Sequence, residues 1–355
     1  MRRRVGMVPR PVSLVLVGVL LSLAGWIAPP SSALAAEHRV LAQAAGGAPL
    51  PKVRVATVGI DLADVPLVKW AQDMATRRVA EVELVDFEGS TLAIQATISG
   101  ATQFAVVALL NIIQLAQQTE SSLVTTVHAR LPAPTYMLLA SKSVPGLKAL
   151  EGKKVGISTP GDISDTLARV TLKRANVDVD KVSFVKVGGT RARVAALQNG
   201  SIDAGMAHAF EALSAIARSP NLRNLVTVGE IVPDFVQQGI MARNDYVARN
   251  RDLVQKLLDG LLDTDRWASE HEREFVELAR RTLKGSPDEA ILTEAYREFV
   301  KVKLFDGGKS MREDVLKNTL SIQQETGALK GSIPEMSKWL DQSFVRDYLK
   351  RKGPQ

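Results

Sequence analysis

An internal repeat constrains the fold of this chain more than any other feature of its sequence. Shifting the chain by one hundred positions aligns the segment that begins at Leu92 with the one that begins at Ala192 and places Gly100 on Gly200. Each half follows the order strand, loop, helix, strand, helix, strand, helix, which predicts a mostly parallel sheet with helices on both faces. We therefore predict an α/β fold of two lobes, with a ligand cleft at the carboxyl ends of both sheets. Because few residues are identical, chance similarity between two α/β units is the alternative.

The second half of the repeat contains the sharpest local pattern, Gly152–Ala175. Its first part, Lys154–Ile157, reads as a short strand, and the turn that follows has Pro160 and Gly161 at its centre, as in a type II turn. From Ser164 the apolar residues recur at helical spacing. A strand, a polar glycine turn and a helix N-terminus direct free backbone N–H groups towards a small ligand, although an ordinary strand-to-helix connection has the same pattern.

Two apolar strands, Pro134–Ser141 and Gln238–Arg243, lie between the repeated units and are predicted to cross from one lobe to the other. The second lobe would then be inserted in the first. We predict that lobe 1 comprises residues 52–137 and 244–355, and that lobe 2 comprises residues 138–243. The C-terminal third reads as a series of helices that pack on lobe 1.

The N-terminus has the pattern of a secretory signal peptide. Four arginines precede an apolar run, Val12–Ala28, and the small residues Ala33-Leu34-Ala35 follow a proline pair. This pattern predicts a signal peptide at residues 1–35, cleaved after Ala35, and export to the periplasm. An uncleaved membrane anchor is the alternative, because the apolar run approaches the length that spans a bilayer. The sequence leaves Sec and twin-arginine export open, and residues 36–51, rich in Ala and Gly, are predicted to be a flexible linker.

Composition excludes several functions. The chain has no cysteine, which rules out disulfides, thiolate metal sites and lipid attachment to a cysteine. Removing the four leader arginines leaves 41 basic and 38 acidic residues, a formal net charge of +3. With so small a charge and no basic aromatic stripe, we expect no nucleic-acid partner. The four histidines are scattered without an HExxH pattern, and no GxSxG is present, so we predict no metal, no cofactor and no catalytic residue.

Polar residues on loops at the carboxyl ends of the predicted strands are the candidate ligand contacts. The first half supplies Asp61, Ser90, Thr91 and Asn111, and the second half supplies Thr159, Gly161, Asp162, Ser164, Asp165, His208 and Glu211. Some have a structural alternative: Ser90, Thr91 and Ser164 are also suited to capping helices. Asp165 is suited to stabilising a helix N-terminus through the macrodipole.

The charge of these loops indicates the type of solute. Besides the candidates above, Asp64 and Glu88 are acidic, and no arginine lies in the predicted loops before Arg130. Carboxylates around the mouth of a cleft disfavour anions. We therefore expect a neutral or amine-bearing polar solute rather than a sulfonate or nitrate. Tyr136 is suited to stacking on a ring, as are Trp70 and Phe210, with an apolar core position as the alternative for Trp70.

Two motifs carry a resemblance to a known family. The first is L-x-G-K-K-V-G-x-S-x-x-G at residues 150–161, and the second is A-L-x-x-G-x-I-D-A at residues 196–204. In this order they resemble solute-binding proteins of the sulfonate/nitrate/taurine and thiamine-precursor (NMT1/THI5-like) family. The resemblance implies a type II periplasmic binding fold that delivers a small polar solute to an ABC permease in the inner membrane; for the protein itself we expect a monomer.

The chain departs from that family at two places. The family's P-L-Y-x-A is replaced by Pro66-Leu67-Val68-Lys69-Trp70, with no Gly-Phe-Phe after it, and its G-x-x-D-F appears with Gln103 in place of aspartate. The family's ligand contacts therefore do not transfer by position. Two other functions on the same fold stay open: a receptor that presents ligand to a sensor or a tripartite transporter, and a periplasmic or thiamine-precursor-type enzyme.

Overall fold

Two five-stranded sheets organise the chain, with strand orders β2-β1-β3-β10-β4 and β7-β6-β8-β5-β9. The structure is a computed structural model that describes residues 49–118, 123–285 and 287–354, so the predicted signal peptide and most of the predicted linker lie outside the described residues. The strands are β1 Lys52–Thr57, β2 Glu81–Asp86, β3 Phe104–Ala108, β4 Val124–Arg130, β5 Tyr136–Ser141, β6 Lys154–Ile157, β7 Ser183–Lys186, β8 Ala204–His208, β9 Leu222–Thr227 and β10 Gln238–Arg243. We call the part built on the first sheet the first lobe and the part built on the second sheet the second lobe.

Helices flank both sheets. They are α1 Val65–Thr76, α2 Ser90–Ile98, α3 Leu109–Gln118, α4 Ile163–Arg174, α5 Thr190–Gln198, α6 Ala209–Arg218, α7 Val228–Ile231, α8 Asn244–Arg249, α9 Arg251–Glu270, α10 Glu272–Thr282, α11 Glu289–Lys301, α12 Gly307–Ser310, α13 Glu313–Glu325 and α14 Ser343–Lys352. Short 3₁₀ helices form at Leu62–Asp64, Leu147–Leu150, Val179–Lys181 and Met336–Lys338. Within the described part of the chain, every helix is too short or too polar to cross a membrane.

Each sheet has four strands running in one direction and one strand running against them. The reversed strand is β10 in the first sheet and β5 in the second. Each reversed strand follows directly on a segment that passes from one sheet to the other: Leu131–Thr135 leads into β5, and Val232–Gln237 leads into β10. The predicted α/β class with two lobes, each a mostly parallel sheet joined by two crossovers, is confirmed.

The repeat with a shift of one hundred residues is present in the backbone itself. The strand pairs and hydrogen bonds of one lobe recur in the other: Val55 pairs with Phe104 as Val155 pairs with Ala204, and Phe87 N–H donates to Thr57 as Val187 N–H donates to Ile157, both at 2.9 Å. Gly100 and Gly200 both have positive φ, +83° and +76°, a conformation that glycine adopts without strain. The register of the two lobes therefore matches residue by residue, which chance similarity does not produce.

The departure at Gln103 has a structural explanation in this repeat. Gln103 Oε1 accepts a hydrogen bond from Arg54 N–H at 2.8 Å, and at the equivalent place Asp203 Oδ2 accepts one from Lys154 N–H at 2.9 Å. Both side chains supply an oxygen to the N–H of a strand that has no other partner at that point. The glutamine thus makes the same contact with the strand backbone as the aspartate of the second lobe.

Local sequence explains why α4 begins and ends where it does. Asp162 is its N-cap, and the Asp162 carboxylate accepts a hydrogen bond from Asp165 N–H at 3.0 Å. Lys173 and Arg174 occupy the last turn, where positive charge is favoured by the helix dipole. Leu167, like its apolar neighbours on that face, is fully buried against β6 in the core of the second lobe. Burial of each such side chain contributes about 1.5–3 kcal/mol.

The lobe boundaries drawn from the sequence differ from the sheets at both crossovers. The strand β10 pairs with β3 and β4 of the first sheet, whereas the boundary at residue 243 assigned it to lobe 2. The strand β5 starts at Tyr136 and pairs in the second sheet, whereas Tyr136 and Met137 were assigned to lobe 1. In each case the chain changes lobe before the apolar strand begins, because that strand is the reversed member of the sheet that it enters.

The C-terminal helices contact both lobes, which differs from the prediction that they pack on the first alone. Helix α11 packs against α6 of the second lobe, and the Thr227 hydroxyl donates to Glu298 on α11 at 2.9 Å. Ile322 on α13 lies in the apolar core of the second lobe, and Glu325 on α13 forms an ion pair with Lys173 on α4. These helices therefore connect the two lobes in addition to the two crossovers.

Candidate ligand-binding site

The two crossover segments lie side by side between the lobes. Phe235 N–H donates to the Pro132 carbonyl at 3.1 Å, and Gln237 Nε2 donates to the Ala133 carbonyl at 2.8 Å. The Thr135 hydroxyl also donates to Gln237 Oε1 at 3.3 Å. Pro160 and Gly161, in the loop after β6, line the same cavity as Phe235 and Gln237 of this junction. Two α/β units place a cleft at the carboxyl ends of their strands.

The helix that follows β3 or β8 starts from the crossover in both lobes. Leu109 N–H donates to the Gln237 carbonyl at 3.0 Å, and Ala209 N–H donates to the Thr135 carbonyl at 2.8 Å. Two candidate residues at equivalent positions of the repeat, Asn111 and Glu211, are thereby held next to the crossovers. Side chains at the start of α3 and α6 are thereby fixed relative to the junction of the lobes.

The glycine turn after β6 has the predicted form. Asp162 N–H donates to the Thr159 carbonyl at 3.1 Å, and Gly161 has φ +80°, as the third residue of a type II turn requires. Polar side chains of this turn bond to one another. Ser164 Oγ accepts from Ser158 N–H at 2.8 Å and donates to Asp162 Oδ1 at 2.8 Å.

Asp165 has similar internal partners. Its Oδ2 accepts from Gly161 N–H at 2.8 Å, and its Oδ1 forms an ion pair with Arg169 at 2.7 Å. The side chains of Asp165 and Ser164 are both buried. Asp165 lies in the first turn of α4, as its structural alternative predicted, but the N-cap of that helix is Asp162 and not Ser164. Ser164 instead links Ser158 to Asp162 within the turn.

Asp61, Tyr136 and His208 meet across the cleft. The rings of Tyr136 and His208 stack with centroids 4.2 Å apart, and His208 Nδ1 lies 4.0 Å from Asp61 Oδ2 and 3.2 Å from Thr135 Oγ1. Asp61 belongs to the first lobe and His208 to the second. Their side chains are 40% and 31% exposed, which leaves both open to a bound molecule.

A buried ion pair holds the loop that carries Asp61. Arg130 Nη1 lies 2.6 Å from Asp64 Oδ1 and donates to Gln238 Oε1 at 2.6 Å, and Arg130 Nη2 donates to the Ala63 carbonyl at 3.2 Å. Asp61 caps the short 3₁₀ helix through a 2.7 Å hydrogen bond from Ala63 N–H. The positive charge of Arg130 is thus directed at Asp64 and the loop backbone rather than at the cleft.

A second buried guanidinium, that of Arg193 on α5, lies on the other side of the cleft. Its Nε donates to the Met206 carbonyl at 2.5 Å, its Nη1 donates to the Gly188 carbonyl, and its Nη2 donates to Thr190 Oγ1 at 3.0 Å. All of these partners belong to the second lobe. Arg193 is not among the residues predicted from the sequence, because an arginine within a helix ordinarily projects into solvent.

At the carboxylates of the cleft, loss of contact with water outweighs the nearby positive charges, that of Arg130 for Asp61 and that of Arg191 for Glu211. Burial, with Asp64 nearby, raises the pKa of Asp61 to about 7. Burial also raises the pKa of Glu211, and the negative charge of Asp61 raises it further, while His208 lowers it. The pKa of His208 is lowered, chiefly by burial, which favours the neutral imidazole. The cleft therefore favours the neutral, protonated form of both carboxyl groups.

A cavity of about 380 Å³ lies between the lobes and is bordered by α3, α4 and the second crossover. It is lined by three of the predicted residues, Asn111, Gly161 and Asp162, and also by Ala108, Leu110, Gln114, Pro160, Ile163, Thr166, Phe235, Gln237 and Gln323. Gln323 comes from α13, far along the chain from every predicted loop. A larger depression, about 750 Å³, lies beside α8, α9 and α14 and contains none of the predicted residues, so we place the site in the cleft.

Three predicted residues are not brought to either part of the cleft. Ser90 is the first residue of α2, whose N-cap is Gly89, and no side chain caps this helix. Thr91 and Thr159 are exposed, and neither lines the 380 Å³ cavity. Among residues 49–118, 123–285 and 287–354, no three His, Asp or Glu side chains are grouped closely enough to hold a metal ion.

Comparison with known proteins identifies a family and a fold. A family model described as NMT1/THI5 like matches residues 80–274, which is more than half of the 355-residue chain. No curated protein sequence matches the chain.

Many solved structures share the fold. The putative sulfonate ABC transporter periplasmic sulfonate-binding protein SsuA from Methylobacillus flagellatus is 18% identical, with a TM-score of 0.65 and coverage of 85% of this chain and 94% of that one. The periplasmic aliphatic sulphonate-binding protein SsuA from Escherichia coli is 16% identical, with a TM-score of 0.65 and coverage of 82% and 92%. The zinc-bound ligand-binding component of an ABC-type import system from Staphylococcus aureus is 12% identical, with a TM-score of 0.67 and coverage of 84% and 99%.

Proposed function

Because this chain belongs to the NMT1/THI5-like family, we propose that it is an exported substrate-binding protein that captures a small polar solute between its lobes and delivers it to an ABC permease of the inner membrane. The names of the fold neighbours support this proposal, since they are binding components of ABC import systems. In this proposal the protein is a monomer without enzymatic activity, and its signal peptide is removed after Ala35.

One observation carries the proposal: cleft side chains from opposite lobes meet at the crossovers. Asp61 from the first lobe and His208 from the second lie 4.0 Å apart, and both are partly exposed. A solute bound against both side chains contacts both lobes at once, so its binding energy favours the closed arrangement over the open one. Hinge closure about two connecting strands is how binding proteins of this architecture report that they are loaded.

The charges of the cleft support an amine-bearing solute. The pKa values of Asp61 and Glu211 are raised chiefly because the cleft shields both carboxylates from water, an effect that the charges of Arg130 and Arg191 only partly offset. The buried guanidiniums of Arg130 and Arg193 are hydrogen-bonded within their own lobes. A protonated amine would supply the missing positive charge, whereas a sulfonate would add a further negative one. The sulfonate bound by the fold neighbours is therefore not the solute that we propose here.

The experiment is a thermal-shift screen of the purified protein, expressed from the full chain, against amines, neutral polar metabolites and sulfonates. A ligand that binds only the folded form raises the melting temperature. At a hundredfold excess over its dissociation constant, it increases the free energy of unfolding by about 2.7 kcal/mol. We expect hits among the amines, recovered unchanged by mass spectrometry. Hits confined to sulfonates would contradict the amine class, conversion of a hit would contradict the non-enzymatic role, and no hit at all would contradict solute binding.

A further inference from the structure

Two polar atoms in the wall of the interlobe cavity have no hydrogen-bond partner among the described residues. They are Thr166 Oγ1 on α4 and Gln323 Oε1 on α13. The side chains are deeply buried, with Thr166 2% and Gln323 4% exposed. A buried polar atom without a partner destabilises the folded state, so proteins rarely retain one without a use for it.

The other polar groups of this wall already have partners. Gln237 donates to Ala133 and accepts from Thr135, as described above, and the Asp162 carboxylate accepts from the backbone N–H of Asp165. Asn111 Nδ2 donates to Gln114 Oε1 at 3.3 Å. Thr166 Oγ1 and Gln323 Oε1 are buried atoms without a partner, and both residues line the cavity of about 380 Å³.

The position of Gln323 is fixed because its helix, α13, contacts both the second crossover and the core of the second lobe. On the preceding turn of α13, Thr319 Oγ1 accepts a hydrogen bond at 2.9 Å from Val236 N–H in the second crossover. The adjacent Ile322 is buried in the core of the second lobe. Helix α13 therefore holds Gln323 against the crossover and α4 together, and a ligand bonded to Gln323 would also be tied to both.

We propose that Gln323 and Thr166 form a hydrogen-bonding subsite of the solute cleft, in which Gln323 Oε1 accepts a hydrogen bond from an N–H or O–H group of the bound solute. This inference rests on the proposed function and narrows the solute to one that carries a hydrogen-bond donor in addition to its amine. Gln323 Oε1 accepts and does not donate, so a solute with a methyl group at that point leaves this oxygen unpaired. Gln323 lies outside both motifs of the family resemblance.

The first measurement needs no ligand. Gln323→Met replaces a buried amide by an apolar side chain of similar length, and Gln324→Met makes the same change at the exposed neighbour on the same helix. If Gln323 Oε1 has no partner in the empty protein, Gln323→Met raises the melting temperature, by about 2 °C for a chain of this size, and Gln324→Met does not. A fall in the melting temperature of Gln323→Met would mean that the amide stabilises the fold, and would overturn the subsite.

The second measurement uses pairs of amines matched in shape. Tyramine and 4-methylphenethylamine differ only in a hydroxyl and a methyl group, as do 5-aminopentan-1-ol and hexylamine. Calorimetry of the wild-type protein should show at least about tenfold tighter binding of the hydroxyl member of a pair, the difference expected when a buried acceptor is left unpaired. Gln323→Met should abolish this preference, and Thr166→Val, which keeps the shape of the side chain, should reduce it. Gln324→Met should leave it unchanged.

The outcomes separate the subsite from the proposed function. Equal binding of both members of each pair, or a preference that survives in Gln323→Met, would overturn the subsite while solute binding stands. If neither member of any pair binds, the amine class of the proposed function fails, and the ligand-free melting temperatures alone decide whether Gln323 is an unpartnered acceptor.

Discussion

Protonation of Asp61 should control how tightly the protein binds an amine. Its pKa is about 7 in the empty cleft, and a bound ammonium group would keep the carboxylate ionised. Below pH 7 the protein must therefore release a proton to bind, and its affinity falls. A pKa of about 7 that drops well below 5.5 on binding predicts about thirtyfold weaker binding at pH 5.5 than at pH 8. Because the Asp61 side chain is 40% exposed, solvent screening reduces this difference in affinity, and we expect about tenfold weaker binding at pH 5.5 than at pH 8.

The same pKa fixes the sign of the stability change in the empty protein. The carboxyl has a pKa of 3.8 when unperturbed and about 7 in the fold. Between these values the folded protein holds a proton that the unfolded chain has lost, so raising the pH from about 4 to about 7 destabilises the fold. Above pH 7 the contribution of Asp61 is constant. A bound amine should reverse the trend, with the largest thermal stabilisation at alkaline pH.

The assay is calorimetry of the tightest-binding amine from the screen at pH 5.5, 6.5, 7.5 and 8.5. Asp61→Asn keeps an oxygen that accepts from Ala63 N–H, so the loop stays intact, but it removes the charge. This variant should bind weakly at every pH and lose most of the pH dependence. Asp180→Asn, at an exposed position of the second lobe, is the matched control and should behave as the wild type.

Two neighbours of Asp61 titrate in the same direction and need separate variants. The pKa of Glu211 is raised, so Glu211→Gln should remove the part of the dependence that persists in Asp61→Asn. Protonation of His208 at acid pH adds a positive charge that also opposes an amine. A flat profile in the wild type, or an unchanged slope in Asp61→Asn, would refute the assignment of Asp61 as the counter-charge.

Three further predictions concern the scaffold and export. Arg130→Met leaves the buried Asp64 carboxylate unpaired and should lower the free energy of unfolding in urea by about 3–5 kcal/mol. The double variant with Asp64→Asn should recover much of this loss. An equal loss in the single and the double variant would contradict the role of the ion pair. Gln237→Met removes the hydrogen bond to the Ala133 carbonyl and should cost about 1–3 kcal/mol in the same assay, whereas no loss would mean that the crossovers do not depend on it. N-terminal sequencing of exported protein should begin at Ala36, and a membrane-bound form that retains the leader would favour an anchor.

Most elements could be predicted because their apolar residues recur at the period of a helix or strand. The strand Lys154–Ile157 was predicted with its observed ends, since a valine, a glycine and an isoleucine precede a turn that only glycine suits. The strand β4 was not predicted. Its residues His128 and Arg130 are polar yet 0% and 1% exposed. The partner that makes burial of Arg130 acceptable, Asp64, lies in another element and cannot be found from local sequence.

The candidate site was predictable only where it lies on strand-end loops. Asp61 and His208 come from distant parts of the chain, but the carboxyl ends of β1 and β8 face one another across the crossovers, so the topology alone brings them together. Arg193 and Gln323 come from helices, where a polar residue ordinarily faces solvent. Only the packing of α5 and α13 against the lobes turns these two side chains inwards.

The two lobes share one order of strands and helices but differ in the residues that face the cleft, and this difference underlies the amine-bearing solute that we propose. The repeat places Asp61 opposite Gly161 in the alignment of the lobes, and Asn111 opposite Glu211. The charged member of each pair lies with His208, where the pKa of Asp61 and that of Glu211 are raised. The uncharged members, Gly161 and Asn111, line the cavity that also contains Gln323. The strand pairing of the two lobes corresponds, but the loop after β1 forms a 3₁₀ helix and the loop after β6 a tight turn, so both side chains and loops differ. A solute that satisfies both groups has an ammonium at one end and an uncharged hydrogen-bond donor at the other.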